Sequence, residues 1–286
     1  MAKTEGPRGQ DPSRVITPPD AKKEAEIFDK FDFGSAQVEA PHHPQQDYCT
    51  VVFPLAGDDY LTALVADGAS WAKHAADASR MAGEWFVGEV KTLSERGEKI
   101  TVEILKKVML NINVRLLAVS RQMEAAIEKT TQRERMDEFS LRYAIDMPTT
   151  FTGIVAQDSK MFIVHLGDTR LYLFCQNRLT RLTDDETVAE RKRMRGKLVT
   201  DLRDEDTLTN FLGNENAVFS VVENKIESGD VWLLVSDGVI KILADDELKN
   251  ILSQPKDAQS LANDIIEAVE AKGVVDDTTA VVVRIK

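Results

Sequence analysis

The chain has 286 residues and a formal net charge of −12, and 43% of its residues are hydrophobic. The acidic excess disfavours DNA or RNA as the main partner, because binding to phosphate backbones requires an excess of Lys and Arg. No apolar stretch approaches the roughly 20 residues that span a bilayer, and the N-terminus lacks the apolar segment of a signal peptide. We therefore expect a cytoplasmic protein that contacts neither nucleic acid nor membrane.

Residues 1–35 are rich in proline and charged residues and poor in aliphatic ones, which predicts a mobile N-terminal tail. Residues 36–286 are predicted to form a single domain. After a β-rich segment at Asp47–Leu55, the apolar run Leu61–Gly68 has the composition of a strand buried on both faces. Residues at helical spacing follow it directly. Asp67 is therefore predicted to lie exposed at the end of a buried strand rather than in a hairpin turn.

Helices and strands alternate in blocks along the rest of the chain. Two helices are predicted next, and short strands with tight connections from Thr150 then predict an antiparallel meander. A charged, weakly periodic segment at Asp184–Asn216 is predicted to be irregular. The helices are predicted at Ser70–Leu93, Thr101–Gln132, Asp245–Leu252 and Asp257–Lys272, and the later strands at Ala217–Glu223, Val231–Ser236 and Thr278–Ile285. This order favours antiparallel sheets with helices packed outside them.

Aspartates recur where predicted buried strands begin or end. Asp67, Asp168 and Asp237 follow strands, whereas Asp47 and Asp276 precede strands. In an antiparallel sandwich the start of one strand and the end of its neighbour lie at the same edge, so all five can gather on one rim. Each aspartate alone is typical of a turn. Together they predict an oxygen-only cluster, the ligand set that Mg²⁺ and Mn²⁺ prefer.

These motifs resemble those of a known family, the metal-dependent serine/threonine protein phosphatases of the type 2C class, in their bacterial form. Each motif is short, but together they occur in the family's order over nearly the whole chain beyond the tail. They are Gln46-Asp47, Asp67-Gly68, Thr149-Thr150-Phe151-Thr152, Gly167-Asp168-Thr169-Arg170, Leu182-Thr183, Leu212-Gly213, Val235-Ser236-Asp237-Gly238 and Asp276-Asp277-Thr278-Thr279. The resemblance implies an α+β fold, a four-layer α-β-β-α sandwich of two antiparallel sheets with helix pairs on both outer faces.

The resemblance also implies a set of metal ligands. Asp67 would bridge two Mn²⁺ or Mg²⁺ ions, and the carbonyl group of Gly68 would bind one of them. Asp237 and Asp276 would bind the other ion. Asp168 would bind a third, weaker ion that it shares with Asp237.

The implied reaction is the hydrolysis of phosphoserine and phosphothreonine on proteins by a metal-activated water at a binuclear centre. Asp47 would be catalytic, because it would orient water at the metals. The implied partners are a phosphorylated protein substrate and a cognate serine/threonine kinase, which places the chain in signal transduction. In keeping with this chemistry, the sequence has no Gly-x-Ser-x-Gly nucleophile elbow.

The sequence departs from the family pattern close to the implied site. His42 stands where the family usually has a phosphate-contacting arginine, and Gln46 stands where many members have glutamate. Ala69-Ser70 replace a His or Met and the two glycines found in many members. His42 is either an ordinary loop residue or a catalytic substitute that donates to the phosphate when it is protonated.

These departures leave a second function open, that of a catalytically weak relative that binds a phosphoprotein or a kinase as a regulatory module. The retained aspartates favour the active phosphatase. The basic run Arg191–Lys197 lies in the family's variable flap, where it is either a solvated helix face or a recruiting surface for an acidic phosphopeptide. A nucleotide-binding α/β protein is set aside, because neither glycine-rich phosphate-binding signature is present.

Overall fold

Two five-stranded β-sheets face one another in a computed structural model of the chain, which describes residues 30–41, 44–52, 60–130 and 136–286. The strands are Phe31–Val38 (β1), Asp47–Val52 (β2), Tyr60–Asp67 (β3), Phe151–Gln157 (β4), Lys160–Leu166 (β5), Arg170–Cys175 (β6), Arg178–Arg181 (β7), Ser220–Lys225 (β8), Val231–Val235 (β9) and Thr278–Ile285 (β10). The first sheet has the order β1-β10-β9-β6-β7, and the second has the order β2-β3-β4-β5-β8. All neighbouring strands are antiparallel.

Helix pairs cover the outer faces of both sheets. The helices are Ala75–Glu95 (α1), Val102–Glu128 (α2), Glu138–Ile145 (α3), Val188–Met194 (α4), Arg203–Asp206 (α5), Asp237–Ile240 (α6), Asp245–Leu252 (α7) and Ala258–Lys272 (α8). α1 and α2 pack on the second sheet, and α7 and α8 pack on the first. The layers therefore run helix, sheet, sheet, helix, which confirms the predicted four-layer α+β sandwich.

Strand β3 is buried on both faces, as its apolar sequence predicts. Leu61 and Val65 belong to the core between the two sheets, together with Trp232 of β9. Leu64 points to the opposite face, where it shares a core with Phe86 of α1. Because apolar contacts hold both faces of this strand, the position of the aspartate at its end is well determined.

Helix α1 begins five residues later than predicted, at Ala75 instead of Ser70. Between these residues the chain forms turns, and the Lys73 amide donates a hydrogen bond of 2.8 Å to the Tyr143 carbonyl group. A backbone donor that is used by another segment cannot form the hydrogen bonds of a regular helix. The residues directly after Asp67-Gly68 therefore form a short loop at the rim of the sheet.

The first sheet begins within the segment predicted as a tail. Strand β1 starts at Phe31 and pairs with β10 over its whole length, so regular structure precedes the predicted boundary at residue 36. The sequence signal was weak because β1 is an edge strand with a mixed composition. The tail assignment for residues 1–29 falls outside the described residues and stays a prediction. In the described part of the chain, no helix combines the length and the apolar character needed to cross a bilayer.

Candidate active site

The register of the second sheet brings two of the predicted aspartates together. Asp47 is the first residue of β2, and Asp67 is the last residue of β3. The two residues are direct partners in the antiparallel register. Opposed residues have Cβ atoms roughly 4.5–5.5 Å apart, so these two carboxyl groups are close neighbours at the rim of the sheet.

The other three predicted aspartates lie at strand ends of both sheets. Asp168 follows β5, Asp237 follows β9, and Asp276 precedes β10. All three line one pocket of about 180 Å³. The walls of this pocket include every residue predicted to bind metal, together with one further aspartate and one lysine: Asp67, Gly68, Asp168, Asp206, Asp237, Lys241 and Asp276.

Two threonines hold the backbone of Asp67 in place. The Asp67 amide donates a hydrogen bond of 3.0 Å to the Thr150 hydroxyl group, and the Thr150 amide donates one of 2.8 Å to the Asp67 carbonyl group. The Thr149 hydroxyl group donates to the same carbonyl group over 2.9 Å. The Thr149-Thr150 motif therefore fixes the end of β3, and with it the direction in which the Asp67 side chain leaves the strand.

Two glycines allow close backbone approaches beside the aspartates. A Cβ atom on Gly68 would lie 2.4 Å from the carbonyl oxygen of Ala75, at the start of α1. A Cβ atom on Gly238 would lie 2.1 Å from the carbonyl oxygen of Asp277. No side chain fits at such distances. Both Asp-Gly pairs therefore reflect tight packing around the pocket.

Asp47, which is predicted to be catalytic, is buried, with 7% of its surface exposed. Its Oδ2 atom accepts a hydrogen bond of 2.6 Å from the Thr279 hydroxyl group, whereas Oδ1 is buried and has no hydrogen-bond partner among the described residues. Burial raises the pKa of Asp47 to about 7; the hydrogen bond from Thr279 opposes this shift, and repulsion by Asp237 adds to it. An unpartnered buried carboxylate oxygen is costly and can accept a hydrogen bond from a water molecule.

Electrostatic repulsion is concentrated at the pocket. Burial raises the pKa of Asp67 and of Asp168 well above the usual range, and it also raises the pKa of Asp237. For Asp67, four neighbouring carboxyl groups add to the effect of burial: those of Asp47, Asp237, Asp168 and Asp276. Clustered carboxylates that cannot all ionise favour the binding of a cation.

The positively charged side chain of Lys241 lies in the pocket wall. Its Nζ atom lies 2.6 Å from Asp237 Oδ2 and 2.7 Å from Asp276 Oδ2, and it lies 3.4 Å from Asp206 Oδ1. Burial opposes the charged form of this lysine, but the Asp237 and Asp276 carboxylates outweigh that effect and raise the pKa of Lys241. Sequence analysis missed Lys241, although it follows Asp237 by four residues, the spacing of one helical turn.

The pocket has the oxygen donors that suit a hard divalent cation, but they are not arranged as a preformed site. Within residues 30–41, 44–52, 60–130 and 136–286, no group of three or more His, Cys, Asp or Glu side chains is placed to hold a metal ion. However, Asp47 Oδ1 and Asp237 Oδ1 are buried without a hydrogen-bond partner in the same residues. Among the described residues, five aspartates and one lysine line the pocket, so the donor set fits a divalent cation once Lys241 leaves Asp237 and Asp276.

Asp277 positions the segment that carries Asp47, and sequence analysis gave it no role. It is buried, and its Oδ1 accepts a hydrogen bond of 2.7 Å from the Ala40 amide. Its Oδ2 accepts one of 2.6 Å from the Gln46 amide. The two adjacent aspartates before β10 were the available signal: the first of them lines the pocket and the second holds the neighbouring loop.

Two further residues that sequence analysis singled out are His42 and Arg170. His42 falls outside the described residues, so its catalytic role stays a prediction. Arg170, from the Gly-Asp-Thr-Arg motif, forms a bidentate ion pair with Asp185, with N–O distances of 2.8 and 2.5 Å. Arg170 also donates a hydrogen bond to the hydroxyl group of Tyr172, another residue of β6. Arg170 therefore braces the sheet and does not line the pocket.

Comparison with known proteins identifies a matching family. The family described as Protein phosphatase 2C matches residues 38–279. The chain is 28% identical to the serine/threonine protein phosphatase PstP of Mycobacterium tuberculosis over 140 residues, which are 48% of this chain and 27% of that protein. The chain thus spans little more than a quarter of the length of the first curated relatives that it matches.

Solved structures share the fold at low sequence identity. Stp1 from Staphylococcus aureus, a serine/threonine phosphatase, superposes with a TM-score of 0.73 at 14% identity, over 89% of this chain and 94% of that one. The catalytic domain of PstP in complex with two manganese ions superposes with a TM-score of 0.65 at 19% identity, over 90% and 98% of the two chains. The likeness in architecture therefore extends over nearly all of both chains.

Proposed function

Because the chain belongs to the protein phosphatase 2C family, we propose that it hydrolyses phosphoserine and phosphothreonine esters on proteins with the help of divalent cations. One observation carries the proposal: five residues separated by up to 209 positions in the sequence, from Asp67 to Asp276, line the same small pocket. Packing of the hydrophobic core does not explain such a cluster, because buried carboxylates without partners destabilise the folded chain. A binding site for hard cations accounts for it.

Each predicted metal ligand has a role in the proposed site. Asp67 and the Gly68 carbonyl group would bind one Mn²⁺ or Mg²⁺ ion, and Asp67, Asp237 and Asp276 would bind a second. Asp168 lines the same pocket and would bind a third, weaker ion with Asp237. When bound, these ions would supply the Lewis acidity that activates a water molecule and offsets the charge of the phosphoryl group.

Asp47 would act as a positioning group for the attacking water. Its Oδ2 is held by the Thr279 hydroxyl group, and its Oδ1 has no hydrogen-bond partner in the described part of the chain. The fixed carboxylate can therefore accept a hydrogen bond from a water molecule without losing an existing one. The Asp277 side chain keeps the loop before Asp47 in place through the Gln46 amide.

The assay that tests the proposed function is hydrolysis of p-nitrophenyl phosphate and of a phosphothreonine peptide by the full chain, with Mn²⁺ and with EDTA. We expect hydrolysis that requires Mn²⁺, stops in EDTA and returns when excess Mn²⁺ is added. Activity that persists in EDTA would contradict the proposal. If the Asp237→Asn variant hydrolysed both substrates as fast as the wild-type chain, the hydrolysis would be due to a contaminant.

A regulatory module with weak catalysis is the second candidate, and one specific observation favours it. The Lys241 ammonium group already pairs with two of the proposed metal-binding carboxylates, Asp237 and Asp276. A protein that never releases this lysine would keep the fold but bind metal poorly. Absence of Mn²⁺-dependent hydrolysis in the wild-type chain, with binding of a phosphoprotein or a kinase retained, would support this candidate.

The basic run Arg191–Lys197 lies on and after α4, near the pocket. Two of its cations are engaged: Lys192 pairs with Asp204, and Arg193 pairs with Glu190 and Glu205. The pairs with Asp204 and Glu205 join α4 to α5, whose last residue lines the pocket. The other three cations form no ion pair among the described residues, and we propose them as the recruiting surface for phosphoproteins: Arg191, Arg195 and Lys197.

Reversing the charge of these three residues to glutamate should lower kcat/KM for an acidic phosphoprotein by about tenfold, because electrostatic steering acts on a charged macromolecule. The activity on p-nitrophenyl phosphate should change less than about twofold, because the small ester does not need the surface. The control reverses three exposed lysines at and before α2, namely Lys99, Lys106 and Lys107. Equal losses on both substrates would reject a recruiting role.

A further inference from the structure

The Lys241 side chain contacts two of the carboxylate groups that line the pocket. The Nζ atom is within 2.7 Å of one carboxylate oxygen from Asp237 and one from Asp276. Both oxygens belong to residues that the proposed function assigns to metal binding. The lysine therefore makes the same contacts that a cation in the pocket would make.

The backbone around Lys241 places its ammonium group in the pocket. Lys241 directly follows α6, a single helical turn that begins at Asp237, and its amide donates a hydrogen bond of 2.9 Å to the Asp237 carbonyl group. The turn cannot shift easily, because Gly238 lies against the Asp277 backbone and Val239 is fully buried. Only the side chain of Lys241, which is 30% exposed, has room to move into solvent.

A divalent cation that bridged these two oxygens would compete with the ammonium group for the same position. Mg²⁺ binds oxygen ligands at roughly 2.0–2.1 Å with strict geometry, and an ammonium group hydrogen-bonded to the same two oxygens would block that approach. Two cations that compete for the same carboxylates also repel each other. Lys241 must therefore leave Asp237 and Asp276 before an ion can bind their two Oδ2 atoms together.

We infer that Lys241 is a tethered cation that competes with divalent metal for the Asp237 and Asp276 carboxylates. This inference rests on the proposed function, because it assumes that the pocket binds metal. In the metal-free protein the lysine neutralises part of the acidic cluster and stabilises the fold. When metal is abundant the side chain swings outward. The apparent metal affinity of the wild-type chain is thereby lower than its carboxylates alone would give.

The test is calorimetric titration of Mn²⁺ into EDTA-stripped wild type, Lys241→Met and Lys241→Arg, with melting curves of the same metal-free samples. Met keeps most of the length of the side chain and removes the charge. We expect Lys241→Met to bind Mn²⁺ about 10-fold more tightly or better, whereas Lys241→Arg stays close to wild type. Metal-free Lys241→Met should melt at a lower temperature, because Asp237 and Asp276 have lost the ammonium group between them.

Lys256→Met is the matched control, because Lys256 also pairs with an aspartate, Asp264, at 2.6 Å, but outside the pocket. It should leave the Mn²⁺ affinity unchanged. Binding by Lys241→Met that equals or falls below a measurable wild-type affinity would overturn the inference. If neither protein binds Mn²⁺, the metal site of the proposed function fails as well. Adding Asp276→Asn to Lys241→Met should remove the gained affinity, and retention of that gain would also overturn the inference.

Discussion

Replacing Asp67 with asparagine should lower the Mn²⁺-dependent kcat/KM for p-nitrophenyl phosphate by roughly 100- to 1,000-fold. Asn keeps the shape of the side chain but removes the negative charge that would hold the ions, which are expected to contribute several kcal/mol to the stabilisation of the transition state. Four carboxylates surround Asp67, because Asp47, Asp168, Asp237 and Asp276 all raise its pKa in addition to burial. Steady-state kinetics over a range of Mn²⁺ concentrations measure the effect.

The same substitution should raise the stability of the metal-free protein, which separates loss of function from misfolding. A buried carboxylate among like charges destabilises the folded chain, so its neutral replacement relieves repulsion. Asp246→Asn is the control, since it removes one charge from an exposed residue of α7, and it should retain wild-type activity. A variant of Asp67 that keeps more than a tenth of wild-type activity would contradict the assigned role.

The metal-free protein should become less stable as the pH rises from 5 to 8. Burial raises the pKa of Asp47 to about 7 from an ordinary value of 3.8, so from pH 5 up to its folded pKa the folded chain holds a proton that the unfolded chain has lost. A carboxyl group whose pKa is raised by folding stabilises the fold when the pH is below its pKa in the unfolded chain. This stabilisation is lost as the pH rises through its pKa in the folded chain. Asp47 alone should contribute a loss of roughly 2–3 kcal/mol over this interval.

Urea unfolding of EDTA-treated protein at pH 5 and pH 8 measures this difference. The raised pKa values of Asp67, Asp168 and Asp237 act in the same direction, so the total loss should exceed the share of Asp47. The Asp47→Asn variant should show a smaller dependence on pH. Saturating Mn²⁺ should remove most of the loss, because bound cations favour ionised carboxylates. Stability that rises with pH in the absence of metal would contradict the electrostatics of the pocket.

Much of the fold could be predicted because the decisive strands are buried on both faces. Two apolar runs in the sequence mark buried strands and show where these strands end. One run ends at Asp67 and the other ends before Asp237. Antiparallel order then brings the ends and starts of neighbouring strands to one rim. The convergence of four predicted aspartates with Gly68 on one pocket follows from these two facts. Short motifs without periodicity were informative here because the aspartates in them mark where a strand begins or ends.

The remaining features depend on contacts that no local pattern records. Strand β1 forms because it pairs with the edge of β10, although buried and exposed residues do not alternate regularly along β1. Asp277 holds Gln46 across 231 positions of the sequence. Lys241 stands beside Asp276 only because α6 packs against the start of β10. A charged residue is easily assigned to the surface when its partners come from another part of the chain.

X-ray diffraction from crystals soaked in Mn²⁺, recorded at the manganese absorption edge, tests the metal pocket most directly. We predict at least one anomalous peak within bonding distance of carboxylate oxygens from Asp67, Asp237 and Asp276, with the Lys241 side chain turned away from Asp237. A pocket without an anomalous peak at saturating Mn²⁺, with Lys241 still between Asp237 and Asp276, would contradict metal binding by these residues and with it the proposed hydrolysis.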